Sequence, residues 1–272
     1  MRYITVLSIA GSDCSGGAGI QADIKTISAL GCYAASVITA VTVQNTCGVR
    51  NVYPLPAESV QEQMEAVAED LQIDAVKIGM VTDRNIITAI ADFLSTRHLT
   101  TVFDPVLVSS NGHPLVHPEA LEVLRKRLLP QCSLITPNLP EAQILSGIPI
   151  HDTNDMERAA RRILAEGCRA VLVKGGHLQG NNMTDILLTG FETSDIYRYN
   201  SSKIHTHNTH GTGCTLSSAI TSFIARGSSL PEAVKLGKNF LTEALVAGQD
   251  ITTGKGHGPL NHFFRPEKTM VK

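Results

Sequence analysis

Short apolar and β-branched runs alternate with helical patterns along almost the whole chain, and this alternation limits the fold more than any other feature of the sequence. Strands that alternate with helices through short connections predict an α/β fold, in which helices cover both faces of a mostly parallel sheet. The sequence shows no internal repeat and no linker rich in Pro, Gly or Ser. We therefore expect a single domain over residues 1–272.

The same periodicity gives the approximate bounds of each element. Strands are predicted over residues 4–10, 36–44, 75–78, 101–104, 133–136 and 170–174, and an antiparallel hairpin over 185–189 and 194–199. Helices are predicted over residues 20–30, 56–71, 85–95, 118–129, 141–145, 155–166 and 231–247, and one more begins within residues 208–217.

Polar and glycine-rich residues follow each predicted parallel strand. Because the carboxyl ends of parallel strands lie at one edge of a sheet, we expect these residues to gather there, where open α/β sheets bind ligands. They are residues 11–13, 44–46, 79–80, 104–105, 137–138 and 174–177.

The stretch 208–217 is the strongest candidate for a ligand site. Gly211 and Gly213 allow positive φ and a close approach of the backbone to another molecule. Thr212 and Thr215 are predicted to cap the helix that follows. Such a helix start presents backbone N–H groups and the positive end of the helix dipole, which together suit a phosphate or another anion.

A second glycine-rich loop, residues 11–19, matches neither the dinucleotide motif G-x-G-x-x-G nor the Walker-type motif G-x-x-x-x-G-K-[ST]. Gly16, Gly17 and Gly19 permit a ligand to approach this backbone, and a purely structural role for them stays open. Asp23 follows one helical turn later. It either caps the helix in contact with solvent or hydrogen-bonds a polar heterocycle.

The composition disfavours several classes of partner. The net charge is −2, Trp is absent and aromatic residues make up only 4 %, so neither nucleic acid nor an anionic membrane is an expected partner. No apolar run reaches the ~18 residues that indicate a membrane span. The first strand-like run leads directly into a glycine loop rather than a signal-peptide cleavage site, so we expect a cytoplasmic protein with reduced thiols.

Cysteines and histidines give no metal-binding pattern. The six cysteines include no C-x-x-C pair, and all except Cys214 are expected to be small buried residues. The spacing of His177, His207, His210 and His257 fits no helical metal-ligand pair, so we expect none of them to be a ligand.

Several stretches together resemble the hydroxymethylpyrimidine/phosphomethylpyrimidine kinases of thiamine biosynthesis, which belong to the ribokinase-like superfamily. Residues 10–13, 16–23 and 38–46 look like the N-terminal half of these enzymes, and the similarity spans residues 3 to 263. The resemblance implies a three-layer α/β/α sandwich and ATP-dependent phosphorylation of a pyrimidine hydroxymethyl group and of its monophosphate. The match continues in order through residues 77–80, 104–106, 136–142, 173–177 and 208–215.

The resemblance also assigns roles to particular residues. By position, it implies a pyrimidine pocket formed by Gly11, Ala18, Asp23, Gln44, Met80 and Val106. Met80 is equally well explained as a residue that fills the core. Lys174 is implied as a cation for nucleotide phosphate, with a surface lysine as the alternative.

A pair of residues at spacing three, Asn138 and Glu141, is implied to position Mg²⁺ and the phosphates through water. A charge at a helix N-terminus is the alternative for Glu141. Asp104 is the other expected neighbour of Mg²⁺, because this ion keeps several waters and uses few carboxylates.

Cys214 occupies the position at which the superfamily usually has an aspartate that acts as base. A helix N-terminus and nearby cations lower a thiol pKa, so Cys214 acts either as a thiolate base or only as part of the pocket wall. The backbone N–H groups of Gly211, Thr212 and Gly213 are expected to stabilise charge on the transferring group. Many relatives have a lysine soon after the strand at residues 104–106. Its absence from residues 107–112 puts in doubt a phosphate-binding role for this loop.

Two other functions stay open at this stage. Pyridoxal or pyridoxine kinase performs the same reaction on a different ring, and a non-catalytic protein that binds a vitamin precursor would use the same fold. A late glycine loop, residues 254–259, either closes over nucleotide or packs against the last helix. A homodimer is expected from the resemblance alone.

Overall fold

A computed structural model describes residues 1–108, 115–176, 182–190 and 195–272. The chain contains two compact units. Unit 1 comprises Met1–Val81 and Ile204–Lys272, and unit 2 comprises Thr82–Lys203. Each unit combines strands and helices, as the alternating pattern predicts. The expectation of one domain over the whole chain stays a prediction.

The described residues form nine strands. They are β1 (Thr5–Asp13), β2 (Tyr33–Asn45), β3 (Gly48–Pro54), β4 (Ala75–Ile78), β5 (Thr101–Phe103), β6 (Leu134–Ile135), β7 (Ala170–Val173), β8 (Asn182–Thr189) and β9 (Asp195–Ser202).

The same residues form eight α-helices. They are α1 (Gly19–Ala29), α2 (Ala57–Asp70), α3 (Arg84–Ser95), α4 (Pro118–Val123), α5 (Leu139–Ser146), α6 (Thr153–Leu164), α7 (Thr212–Ala225) and α8 (Leu230–Gly248).

In unit 1 the strands lie in the order β3-β2-β1-β4. Strand β1 is parallel to both β2 and β4, and eight of its nine residues are buried, as expected for a central parallel strand. Strand β3 pairs antiparallel with β2 through a tight turn after Asn45 and was not predicted. Its residues are mostly exposed, and its two valines lie three residues apart, so the strand lacks the apolar alternation that identifies a strand in the sequence.

In unit 2 the strands lie in the order β5-β6-β7-β8-β9. The first three are parallel, and β8 and β9 form the predicted antiparallel hairpin. The predicted helix over 118–129 differs from the structure. It is α-helical only to Val123, then forms a π-helical segment, Leu124–Leu128, and a 3₁₀ turn that contains Pro130, whose ring nitrogen cannot donate to a helical ladder.

Other local expectations have mixed outcomes. Cys32, Cys132 and Cys168 are buried as expected, whereas Cys14 and Cys47 are exposed, so the prediction was wrong for these two. Within the described residues, no helix combines the length and the apolar character needed to cross a membrane.

Candidate active site

The glycine loop of unit 1 is organised by Asp13, at the end of β1. Its buried carboxylate accepts hydrogen bonds from the backbone N–H groups of Ser15, Gly17 and Ala18 at 2.8–3.1 Å, and from the Ser15 hydroxyl at 2.7 Å. Burial by itself would raise the pKa of Asp13. Hydrogen bonds, from His210 first and then from the loop, outweigh this effect and hold that pKa well below its usual range. Asp13 is therefore an anionic anchor for the loop.

The segment 210–214, called here the anion turn, leads into α7. Gly211 is the N-cap residue and has a φ of +88°, and no side chain among the described residues caps the helix. The prediction that Thr212 and Thr215 cap α7 was therefore wrong. The Thr212 N–H donates a long bond, 3.3 Å, to the carbonyl of Thr209, so this donor is engaged within the turn. Without a side-chain cap, the first turn of α7 keeps the N–H-rich, positive end that attracts anions.

The anion turn packs directly against the glycine loop. A Cβ atom on Gly211 would lie 1.9 Å from the carbonyl oxygen of Gly17. On the other side of this contact, a Cβ atom on Gly17 would lie 2.3 Å from the His210 ring. Only glycine fits at both positions, so the two glycine-rich stretches identified in the sequence form one contiguous structure within unit 1.

His210 connects the two stretches through its side chain. Since a carboxylate only accepts, the Nε2–H group of His210 donates to Asp13 Oδ2 at 2.9 Å. The Gln44 side chain also lies 3.5 Å from this ring nitrogen. The sequence analysis missed the Asp13–His210 pair. An Asp that precedes a Ser-Gly turn is a signal for such a loop anchor, but no sequence pattern connects it to a histidine 197 residues away.

Four of the predicted pyrimidine-pocket residues, Gly11, Ala18, Gln44 and Met80, belong to unit 1, and their surroundings are consistent with that role. Gly11 is buried against Met80, because a Cβ atom on Gly11 would lie 2.6 Å from the Met80 methyl group. Ala18, Gln44 and Met80 are each partly exposed. Val106 lies in unit 2, and its N–H group donates to the carbonyl of Asp104 at 2.9 Å.

Asp23 does not fit either interpretation derived from the sequence. Its side chain is fully buried rather than solvated, and it forms an ion pair with Lys77 at 2.8 Å. The hydroxyl groups of Ser8 and Ser218 also donate to its carboxylate, at 2.6 and 2.7 Å. The predicted hydrogen bond from Asp23 to a substrate ring therefore needs correction, since both carboxylate oxygens already accept from buried protein donors.

In unit 2, Asp104 and Lys174 form a largely buried ion pair. The Lys174 ammonium group lies 2.7 Å from Asp104 Oδ1, and the Thr136 hydroxyl donates to the same oxygen at 2.9 Å. The Lys174 side chain is only 15 % exposed, so the surface-lysine alternative was wrong. Its charge is held at the carboxyl end of β7.

Asn138 and Glu141 form a capping box at the start of α5. The Asn138 side chain accepts from the Glu141 N–H at 3.0 Å, and Glu141 Oε2 accepts from the Asn138 N–H at 2.8 Å. Burial raises the pKa of Glu141 to about 7, with Lys174 opposing this shift and Asp104 adding to it. Glu141 therefore has a structural role as a helix-capping residue, which was the alternative considered above, while its carboxyl group lies in a strongly charged neighbourhood.

The remaining candidates have more limited surroundings. Cys214 is partly exposed in the first turn of α7. The next residue, Thr215, has its hydroxyl 3.0 Å from Nε2 of His262, and burial followed by the charge of Lys25 lowers the pKa of that histidine to about 4. His262 is therefore neutral at pH 7, and it was not recognised in the sequence. His177 and Ser109–Gly112 lie outside the described residues.

The late loop 254–259 contacts other parts of unit 1. The backbone N–H groups of Lys255 and Gly256 donate to the Thr46 hydroxyl at 3.1 Å, and that of His257 donates to the Thr46 carbonyl at 2.9 Å. A Cβ atom on Gly258 would lie 2.0 Å from Asn208 Oδ1. The glycines of this loop are explained by close packing, whereas closure over nucleotide stays a prediction.

An uncapped glycine turn at a helix start, and a separate cluster with one lysine and two carboxylates, are typical of enzymes that transfer a phosphoryl group to a small molecule. The comparisons with known proteins agree with this class. A family model described as phosphomethylpyrimidine kinase matches residues 13–261. The chain belongs to the phosphomethylpyrimidine kinase family and is a kinase, as the resemblance implied.

Individual relatives cover nearly the whole chain. A hydroxymethylpyrimidine/phosphomethylpyrimidine kinase of Rhizobium meliloti is 50 % identical over 95 % of this chain and 97 % of its own length. The crystal structure of a phosphomethylpyrimidine kinase from Clostridium difficile 630 has 48 % identity and a TM-score of 0.77, over 89 % of this chain and 99 % of that one.

A pyridoxal kinase is also structurally similar. The Staphylococcus aureus enzyme in complex with AMP-PCP and pyridoxal has 32 % identity and a TM-score of 0.86, over 97 % of this chain and 94 % of that one. The predicted α/β sandwich fold is therefore confirmed.

Proposed function

We propose that this chain phosphorylates 4-amino-5-hydroxymethyl-2-methylpyrimidine and its monophosphate with ATP, as a step of thiamine biosynthesis. The observation that supports this most directly is the anion turn, which begins α7 without a side-chain cap and packs against Gly17 of the glycine loop. The family of the chain and its 50 % identity to a relative named for this activity support the choice of substrate.

The substrate oxygen attacks the γ-phosphorus of ATP, the bond to the β-phosphate bridging oxygen breaks, and ADP leaves. We assign to the anion turn the stabilisation of charge on the transferring group, with Gly211 and Gly213 as the principal backbone donors and Thr212 at the helix start. Backbone donors held by a rigid contact need no reorganisation during transfer. The contact with Gly17 supplies that rigidity.

The hydroxyl proton needs an acceptor, and we assign this role to Cys214. The thiol lies in the first turn of α7, where the helix dipole favours the thiolate. A thiolate would remove the proton as the oxygen–phosphorus bond forms. The alternative, in which Cys214 only forms part of the pocket wall, predicts normal transfer by the alanine variant.

We assign nucleotide binding in unit 2 to Lys174, with Asn138 and Glu141 as positioning groups. Two buried carboxylates, Asp104 and Glu141, suit Mg²⁺, which is commonly bound by one or two carboxylates together with water and substrate phosphates. The raised pKa of Glu141, caused first by burial, fits a site whose negative charge is incompletely balanced. When bound, Mg²⁺ would neutralise phosphate charge.

We assign the pyrimidine to Gly11, Ala18, Gln44 and Met80 of unit 1, and Val106 of unit 2 to the same role. Gln44 offers an amide that pairs with an aminopyrimidine, which has both donors and ring-nitrogen acceptors. Pyridoxal kinase is the second candidate, because a pyridoxal kinase structure resembles this chain at a TM-score of 0.86.

Steady-state kinetics with hydroxymethylpyrimidine, its monophosphate and pyridoxal, each with ATP, test the proposal. ADP release and phosphorylated product are measured in parallel. We expect the highest kcat/KM with hydroxymethylpyrimidine and a second phosphorylation of its monophosphate. Much faster turnover of pyridoxal would favour the second candidate, and no ADP release with any ring would favour a binding protein.

Chelation by EDTA, followed by titration with Mg²⁺, tests the metal. We expect EDTA to abolish ADP release and Mg²⁺ to restore it. The homodimer and the cytoplasmic location stay predictions. Light scattering of the purified chain measures its oligomeric state.

A further inference from the structure

The carboxylate of Asp23 joins four elements of unit 1 at one buried point. Asp23 itself lies on α1, and its two oxygens accept from Ser8 of β1, Lys77 of β4 and Ser218 of α7. The Asp23 and Lys77 side chains are both completely buried.

Net stability does not explain such a pair. Removing two charges from water costs several kcal/mol per ion, and replacing a buried ion pair by apolar groups of similar volume is often neutral or stabilising. The pair instead fixes the relative positions of these elements, because each hydrogen bond holds one element against the same Asp23 carboxylate. Apolar side chains at these positions would fill the space without fixing the elements in this way.

Asp23, Lys77 and Ser218 are called here the network. One side of this network lies next to residues that are predicted to bind the pyrimidine. A Cβ atom on Gly79 would lie 2.7 Å from the Lys77 ammonium group and 2.9 Å from the Ala10 methyl group, so the backbone at the end of β4 rests directly on this charge. Met80 follows immediately and contacts Gly11. Gly11 and Met80 together are called here the Gly11–Met80 surface. We infer that Lys77 fixes the position of this surface through its contact with Gly79.

The other side of the network reaches the anion turn. Ser218 lies six residues after Thr212 on the same helix, about 9 Å along its axis at ~1.5 Å per residue. A helix moves as a rigid element over this distance. The 2.7 Å bond from Ser218 to Asp23 therefore limits both rotation and sliding of α7, and with it the position of the anion turn.

We propose that Ser218, Asp23 and Lys77 form a positioning network that holds the anion turn at the reacting distance from the Gly11–Met80 surface. The inference rests on the proposed function, since it needs a phosphoryl group at the turn and a substrate ring on that surface. Ser218 is a positioning residue rather than a catalytic one. It acts through the placement of α7.

Ser218→Ala tests the network with a small change, because it removes the bond to α7 and leaves the ion pair in place. Ser222→Ala is the matched control. Ser222 is a fully buried serine on the same helix, and its hydroxyl donates only to the carbonyl of Ser218 inside α7, at 2.8 Å. The two variants delete the same atom from similar surroundings, and of the two hydroxyl groups only that of Ser218 donates to Asp23.

We expect Ser218→Ala to lower kcat about 10-fold, since a misplacement near 1 Å costs up to ~10²-fold. The KM values for pyrimidine and ATP should stay within about twofold, because the binding groups themselves are intact. Ser222→Ala should keep the kcat of the unaltered chain at a similar loss of thermal stability. A merely structural role would change the melting temperature of both variants and the kcat of neither.

Equal kcat values for the two serine variants would overturn the positioning role. A rise in KM at constant kcat for Ser218→Ala would also overturn it, because the network would then serve binding alone. Failure of the proposed function is a separate result, seen as absent phosphorylation of the pyrimidine by the unaltered chain. In that case the serine comparison is made with whichever ring the chain phosphorylates.

Discussion

Replacing Gly211 by alanine is the sharpest test of the anion turn. Two effects combine at this position. The φ of +88° is unfavourable for an L-residue by about 1–2 kcal/mol. In addition, the new Cβ atom would lie 1.9 Å from the Gly17 carbonyl oxygen, whereas real Cβ contacts are essentially never shorter than 3.0 Å.

The two backbones must therefore separate by at least 1.1 Å at Gly211, the difference between these two distances. A displacement of this size at a group that stabilises the transferring phosphoryl costs about 10²-fold in rate. We expect Gly211→Ala to lower kcat by about this factor and to reduce the free energy of unfolding by about 2–5 kcal/mol, the sum of φ strain and overpacking.

Gly227→Ala is the matched control, because Gly227 follows the other end of α7. Its φ is +98°, and a Cβ atom there would meet nothing within 4 Å. This variant should lose only about 1–2 kcal/mol of stability and keep its kcat. ADP-release kinetics and urea unfolding of both variants measure these quantities. The reasoning is refuted if Gly211→Ala retains normal kcat, or if Gly227→Ala loses as much activity.

Three further variants address other parts of the site. Cys214→Ala should lower kcat by about 10²–10⁴-fold if the thiolate is the base, whereas an unchanged kcat in a folded variant leaves Cys214 as part of the wall. Lys174→Met should reduce kcat/KM for ATP by about 10²-fold, with the exposed Lys126→Met as control and unfolding curves to detect destabilisation by the unpaired Asp104; equal kinetics for the two lysine variants would contradict the nucleotide role. For Asp13, the pKa in the folded state lies below the ordinary value of 3.8, so its stabilisation is present above about pH 4 and is lost as the pH falls toward the folded-state pKa. Urea unfolding should therefore show a less steep loss of stability below pH 4 for Asp13→Asn than for the unaltered chain, and parallel curves would contradict the anchor role.

The local pattern of apolar and turn residues was sufficient to predict most of the strands and helices. β4 occurs at the predicted residues 75–78, α1 differs from the prediction by one residue at each end, and α3 differs by one residue at its start. These elements have strong periodicity and clear stop signals. Gly31, which follows α1 closely, has the positive φ, +73°, that glycine adopts readily at the end of a helix. Strand β3 has no such pattern and forms because β2 offers it an unpaired edge.

The residues of the candidate site also fall into two groups, those identified from the sequence and those identified only in the structure. The sequence identified both glycine-rich stretches of unit 1 and the Lys174, Asp104 and Glu141 group of unit 2, since glycines and charges at strand ends are visible in order along the chain. It did not identify Asp13 or His210 as partners. It also interpreted Asp23 as solvent-exposed or ligand-bound, because burial cannot be read from one charged residue at a helix start.

The sequence by itself determined the α/β class, the approximate bounds of its strands and helices, and which residues stand at strand ends. These depend on periodicity over a few residues. Only the tertiary structure decided that His210 donates to Asp13 and that Lys77 neutralises Asp23 in the interior. Those pairs join segments 197 and 54 residues apart, and their existence depends on which charged groups lose contact with water together when the chain folds.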